Sequence, residues 1–311
     1  MEPLAAIVSM LRPRTMSPKI ISGAGAWGIR YARVDSVGFG LVLQGGCVLQ
    51  IDGAAPLQLA KGDFVLMPPT SGFAMFSDPD VEPVPLSPDA SVGLSELRHG
   101  DPEREPDFKL LGGYFWFDTA NIDLLVGLLP KLVHIRGADI AAKRLADTIK
   151  LLADEASSQR PGRDLIVERL VEVMLVEALR FRTVGIDTTL RPGLLEGLAD
   201  PNLANALRCI HADVARDWSV AELARHAGLS RSAFSDRFTH KVGAPPMEYL
   251  IQWRMALAKD MLQHEPMPLE KVAAAIGYES ASAFSTAFRR RVGRPPSHFA
   301  RGFDREATAT T

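Results

Sequence analysis

One helical unit is written twice in the C-terminal third of this chain, and that duplication constrains the fold more than any other feature. The first copy runs from Ser219 to Leu250 and the second from Leu269 to Gly302. Phe234, Phe238, Gly243, Pro245, Pro246 and Tyr249 recur fifty residues later as Phe284, Phe288, Gly293, Pro295, Pro296 and Phe299. Gly228 maps to Gly277 with an offset of forty-nine, so the second copy has one extra residue in its turn. Two copies are too few for a solenoid and mark a duplicated module.

Each copy reads as helix, tight turn, helix. Val220, Leu223, Ala224 and Ala227 give an i, i+3, i+4, i+7 apolar face. Gly228 is the expected stop, where a left-handed residue costs glycine nothing, and Ser230 is the expected cap of the next helix. That helix is expected to bury Ala233, Phe234 and Phe238, to expose Arg231, Ser232, Ser235 and Asp236, and to end at Gly243. The second copy repeats the plan with Val272, Ala273 and Ile276, then Gly277, then a helix from about Ser280 burying Ala283, Phe284 and Phe288. Two helices crossing over a short glycine turn form the helix-turn-helix that sets a recognition helix into the major groove. Net charge alone does not disclose this. From Glu196 onward there are 15 lysines and arginines against 13 acidic residues, but Arg289, Arg290, Arg291 and Arg294 are clustered, as phosphate contacts require.

These last hundred residues resemble the DNA-binding domain of the AraC/XylS transcriptional regulators, in which one long helix bridges two helix-turn-helix units. The bridge here is expected from Pro246 to about Gln263, with Tyr249, Leu250, Trp253, Leu257 and Leu262 at helical spacing. The resemblance implies that bases are read by Arg231, Ser232, Ser235 and Asp236 and then by Ala281, Ser282, Ser285 and Thr286. Ser230, Arg237, Lys241, Ser280, Arg289, Arg290 and Arg294 are the candidates for caps and phosphate contacts. Many family members carry Arg where this chain has Asp236 and Thr286, so arginine readout of guanine does not carry over to those two positions. Aspartate can accept from cytosine N4, and Ser or Thr can bond to several base edges.

The 311 residues suggest about two domains, and 47% hydrophobic with 23% charged residues is ordinary for a globular chain with a sizeable core. The first 195 residues carry a net charge of −4, which is neither a nucleic-acid nor a membrane surface. The two cysteines, Cys47 and Cys209, have no metal spacing and fit a reducing cytoplasm. No apolar run reaches eighteen residues. The opening 1–14 lacks the order of a secretory signal and is expected to form a short amphipathic helix packed on the domain that follows it.

From about Ile20 to Phe117 the character is β. Apolar runs of four to eight residues are broken by Gly45-Gly46, Asp52-Gly53 and Gly62-Asp63, as expected of a sandwich or small barrel. The order of strands and glycine turns resembles a cupin jelly roll. Ser22 to Tyr31, Leu66 to Gly72 and Leu111 to Asp118 further resemble the cupin-type sensor domain of one AraC subgroup. Metal-dependent cupins hold their ion with histidines and a glutamate. Gly38 and Phe73 stand where that pattern would place the glutamate and the last histidine, so no metal or other cofactor is expected. What remains is an apolar pocket, for which Trp27, Tyr31, Phe39, Leu41, Phe73, Met75 and Trp116 are the candidate lining. The competing reading is that these residues fill the barrel. Cys47 in a strand reads as a small buried residue.

Residues 76–107 are rich in proline and acid and read as irregular chain, followed by helices over 123–129, 139–156 and 164–182. The last is apolar around most of its circumference and needs partners on several sides. The expected partner is the same helix of a second subunit, with packing inside one chain as the alternative. Residues 183–200 read as a hinge.

The expected fold class is therefore α+β. It comprises a cupin-like β-barrel or jelly roll over 1–122, a helical dimerisation segment and hinge over 123–195, and an all-α tandem helix-turn-helix domain over 196–311, with units at 219–242 and 269–292. The expected function is sequence-specific regulation of transcription by a homodimer that binds double-stranded promoter DNA and a small-molecule effector. RNA polymerase is the further partner this function class implies, and no enzyme activity or membrane association is expected. Two alternatives stand beside it: a ligand-free regulator whose β domain only dimerises, and a cupin enzyme carrying a DNA-binding tail.

Overall fold

The structure, a computed structural model, describes residues 2–11, 13–15, 18–34, 36–86, 96–117, 132–158, 160–180, 193–264 and 267–300. The chain divides into two compact units: Arg12–Phe117 group with Leu129–Thr188, and Met1–Leu11 group with Thr189–Thr311. The expected helix over 123–129 and most of the expected hinge lie outside the described residues.

The first unit holds two sheets. One runs β10 (Glu96–Gly100), β2 (Lys19–Ala24), β11 (Phe108–Trp116), β4 (Val37–Gln44), β7 (Phe64–Met67) and β12 (Val133–Ile135), with β1 (Arg14–Thr15) paired to β11. The other runs β6 (Leu57–Ala60), β5 (Gly46–Ile51), β8 (Phe73–Phe76), β3 (Gly28–Tyr31) and β9 (Val84–Leu86). Their side chains meet in one core: Trp27, Ile29, Tyr31, Cys47, Leu49, Phe73 and Met75 against Val42, Val65, Met67, Phe108 and Leu110. The turn from β4 to β5 requires glycine. Gly45 has φ +67°, and a Cβ there would lie 2.2 Å from the Asp107 carbonyl oxygen.

Two strands run through the segment expected to be irregular. β9 and β10 are edge strands that pair in parallel with β3 and β2. Their side chains are mostly exposed or half-buried, so they lack the apolar alternation that marks a strand in sequence and are held through backbone pairing. Helices α2 (Ile140–Ser157) and α3 (Arg163–Arg180) pack on each other as a hairpin within this unit. α3 buries Val171, Met174, Leu175, Ala178 and Leu179 but leaves Leu165, Ile166 and Val173 exposed.

The second unit contains α1 (Pro3–Leu11) as well as the C-terminal helices. Glu2 starts α1, accepting from the Leu4 and Ala5 amides at 3.1 and 2.8 Å. The helix buries Leu4, Ile7, Val8, Met10 and Leu11. It was expected to be amphipathic and to pack on the β domain; instead it packs against α5 (Pro201–Ala212). With apolar residues on nearly every side, it needs more cover than one sheet face provides. α4 (Leu194–Ala199) falls within the expected hinge but is anchored: the Gly193 amide donates to the Lys241 carbonyl at 2.9 Å, and Leu194 and Gly197 are buried. The remaining helices are α6 (Val220–His226), α7 (Arg231–Val242), α8 (Pro246–His264), α9 (Leu269–Ala275) and α10 (Ala281–Val292). Among the described residues, no helix is long and apolar enough to cross a membrane.

Candidate nucleic-acid interface

Each helix-turn-helix is fixed by local chemistry. Ser219 and Glu222 form a reciprocal cap on α6, with the Glu222 amide donating to the Ser219 hydroxyl at 3.2 Å and the Ser219 amide donating to the Glu222 carboxylate at 3.0 Å. The hydroxyls of Ser230 and Ser280 accept from the Ala233 and Ala283 amides at 3.3 and 3.2 Å and start α7 and α10. Both helices end on left-handed glycines, Gly243 with φ 85° and Gly293 with φ 84°. Phe234 and Phe238, like Phe284 and Phe288, are fully buried with their rings in contact. These buried pairs orient the opposite face of each helix outward.

That outward face carries Arg231, Ser232 and Asp236 on α7 and Ser282 and Thr286 on α10, all exposed. Ser235, Ala281 and Ser285 are half-buried. Ala233 and Ala283, expected to be buried, are exposed. At about 100° per residue, each is turned away from the neighbouring core phenylalanine and joins the outer face. Sequence reasoning missed them because alanine is neutral in an apolar pattern.

The expected phosphate contacts separate into two groups. Arg289, Arg290 and Arg294 are exposed, with the Arg294 guanidinium 4.6 Å from the centre of the Phe299 ring. Arg237 and Lys241 instead face acids of their own domain. Arg237 Nε donates to Asp200 at 2.7 Å, and Lys241 Nζ to Glu196 at 3.1 Å. Asp200 also caps α5, accepting from the Asn202 and Leu203 amides. Burial alone would raise its carboxyl, but the hydrogen bonds from Arg237 and the two amides outweigh it and hold the carboxyl below its ordinary value. These two ion pairs tie α7 to the start of α5 and to α4. Arg291 is likewise engaged, its guanidinium bridging both oxygens of Glu248 on α8.

α8 bridges the two helix-turn-helix units over 19 residues, about 28 Å at 1.5 Å per residue, against about 34 Å between successive major grooves. Leu250, Trp253, Met255, Ala256 and Ala258 bury its inner face. His211 of α5 meets the bridge, with Nε2 2.7 Å from the Tyr249 hydroxyl and its ring 4.3 Å from that of Trp253. Burial lowers the His211 pKa to about 3, so the imidazole stays neutral in the folded protein.

In the β unit, Trp27, Tyr31, Phe73 and Met75 lie together in the core, with Tyr31 stacked on Phe73 at 4.7 Å and Trp27 on Phe108 at 4.9 Å. Three candidates, Phe39, Leu41 and Trp116, lie elsewhere. Phe39 packs on Phe115 at 5.0 Å, and both are outside the cluster to which Val42 and Leu110 of the same two strands belong. They occupy the opposite face, as period-two alternation dictates. Trp116 is 54% exposed. Trp27 Nε1 and His99 Nε2 are buried polar atoms with no hydrogen-bond partner among the described residues, and their rings are 6.3 Å apart. A depression of about 540 Å³ lies against Leu57, Lys61, Asp63, His134 and Arg136. Asp63 is already satisfied there by His134 at 2.9 Å and the Gly137 amide at 2.8 Å. Burial pushes the Cys47 thiol up to about 12, which makes it a poor nucleophile. Among the described residues there is no group of three or more His, Cys, Asp or Glu that could hold a metal ion.

Two family models match the chain, Cupin over residues 2–181 and Helix-turn-helix domain over residues 223–302. An AraC-like transcription regulator of Streptomyces lividans is 36% identical over 91% of this chain and 92% of its own length. The HTH-type transcriptional regulator AlkR of Acinetobacter baylyi is 27% identical over 88% and 91%. Among solved structures, the DNA-binding domain of AdpA, a global transcriptional factor, in complex with a target DNA is 27% identical. It covers 34% of this chain and 96% of its own, with a TM-score of 0.33. ToxT from Vibrio cholerae is 12% identical over 93% of this chain and 97% of its own, also with a TM-score of 0.33. The relatives named here are regulators of transcription. The chain belongs to the AraC-like transcription regulators, with an N-terminal cupin domain and a C-terminal DNA-binding helix-turn-helix domain.

Proposed function

We propose that α7 and α10 read promoter DNA with Arg231, Ser232, Ser235 and Asp236 and with Ala281, Ser282, Ser285 and Thr286, while Arg289, Arg290 and Arg294 bind phosphates. The observation that carries this reading is the repeated geometry: two Ser-capped helices, each turned outward by a buried phenylalanine pair. Selection of genomic DNA fragments by the full-length protein tests it. Enrichment of one motif with two boxes about a helical turn apart is expected, and enrichment of nothing refutes it. Reading chromosomal promoters assigns the protein to the cytoplasm, with RNA polymerase as the partner of an activating complex.

The α2–α3 hairpin joins two chains in this proposal. Four of the six exposed large apolar side chains among the described residues lie on it: Leu151, Leu165, Ile166 and Val173. Such a concentration marks an association surface. Sedimentation of a Leu165→Glu, Val173→Glu double variant should give a monomer where the parent protein gives a dimer. A parent protein that sediments as a monomer refutes this arrangement.

The β unit is proposed to sense a small molecule. Supporting this are the unpartnered Trp27 Nε1 and His99 Nε2, since buried polar atoms are normally paired. Ligand binding would shift the balance between arrangements of the four recognition helices in a dimer. The ligand-free alternative is favoured by a different observation, the stacking of Tyr31 on Phe73 and of Trp27 on Phe108, which fills the core. A thermal-shift screen across a broad metabolite panel separates the two: a stabilising compound supports sensing, and none supports a purely dimerising β unit.

A further inference from the structure

The two helix-turn-helix units share a scaffold but distribute charge differently. In the first, both cations of the last two turns are paired with acids that precede α7 in the chain, Arg237 with the α5 cap Asp200 and Lys241 with Glu196 of α4. The corresponding positions fifty residues on are Ala287 and Arg291, and Arg291 is paired with Glu248. Arg289 and Arg290, which correspond to Thr239 and His240, are exposed and make no ion pair among the described residues. The outer faces show the reverse asymmetry. α7 offers the charged Arg231 and Asp236, whereas the matching positions of α10 are Ala281 and Thr286. Ala283 lies between them and is exposed, as Ala233 is at the matching position of α7.

These placements give the helices different chemistry at DNA. Arginine bonds guanine O6 and N7 in bidentate fashion and aspartate accepts from cytosine N4, so α7 can discriminate G·C pairs. Neither interaction is open to α10. Alanine and the threonine methyl make apolar contact with the thymine C5-methyl group, while free guanidiniums bind phosphates without regard to sequence. We propose that the units divide recognition, with α7 discriminating G·C pairs through Arg231 and Asp236, and α10 reading thymine methyls through Ala281 and Thr286 while Arg289 and Arg290 clamp the phosphates. This rests on the reading that both outer faces meet DNA.

The test uses the full-length protein and a fragment enriched from genomic DNA. Replacing thymine by uracil in the box under α10 should weaken binding roughly three- to tenfold, the worth of one or two lost methyl contacts. The same replacement under α7, whose outer face offers only Ala233 for such a contact, should weaken it less. The Arg289→Ala, Arg290→Ala double variant should reduce the slope of log K against log salt by about 2 and leave base preference intact. Arg237→Gln should leave the slope unchanged and lower the melting temperature, which separates bracing from phosphate contact. Equal uracil effects in both boxes, or an Arg237→Gln slope change matching that of the arginine pair, overturns the division while leaving tandem DNA reading in place. If no fragment is enriched, both fail.

Discussion

The β unit and the helical unit place their large side chains in opposite relation to function. In the helical unit, the aromatics Phe234, Phe238, Phe284 and Phe288 are buried scaffold, and the proposed DNA contacts are the small and charged residues left outside. In the β unit, the aromatics that could line a pocket are the same ones that fill the core. A helix face that the core rejects is open to a partner such as DNA, whereas an aromatic inside a barrel serves packing and ligand equally well.

The largest effects that sharpen this contrast come from the two cores. Phe284→Ala should cost about 3–5 kcal/mol, read by denaturant unfolding, and abolish selective DNA binding. Phe73→Ala, truncating an equally large buried ring, should cost about the same yet leave the selected DNA motif unchanged. A changed motif would show that the β core shapes DNA reading directly.

The turn glycines come next. Gly277 has φ +79°, and a Cβ there would lie 2.2 Å from the Ala215 carbonyl oxygen; Gly228 has φ +67° with only the Asn202 side chain near, at 3.9 Å. Gly228→Ala should cost about 1–2 kcal/mol for the left-handed conformation alone. Gly277→Ala should cost at least about 1 kcal/mol more for the displaced backbone. Equal losses in thermal unfolding would mean that the loop around Ala215 gives way freely.

Acid provides a smaller test. His211 titrates near 3 when folded because burial penalises its charged form, and near 6.5 when unfolded. Between those values the unfolded chain binds a proton that the folded chain does not, so stability falls as pH drops below 6.5. By pH 5 the loss should be about 2 kcal/mol. Asp200, with its depressed carboxyl, adds a loss of the same sign at lower pH. His211→Phe should flatten the pH 5–7 limb of a urea-unfolding series, and an unchanged limb would assign it to other groups. The smallest effects are the caps. Ser230→Ala and Ser280→Ala should each cost about 1 kcal/mol, and Trp116→Ala, at an exposed site, less than about 0.5 kcal/mol.

What could be read in the sequence follows the range of the interactions. Ser230, Phe234 and Gly243 act within one helix, and their repetition fifty residues later made the module legible. The ion pairs of Arg237 and Lys241 were illegible because their acidic partners lie 37 and 45 residues away. β9 and β10 were missed because edge strands need no apolar alternation. The place of α1 on α5 was illegible because an apolar nonapeptide does not encode which surface covers it.

The most direct test of tandem DNA reading is a hydroxyl-radical footprint of the full-length protein on an enriched fragment. Two protected patches on one face of the duplex, about 10 base pairs apart as successive major grooves require, are predicted for α7 and α10. A single patch, unchanged when Ser282 and Thr286 are both replaced by glutamate, would contradict the account.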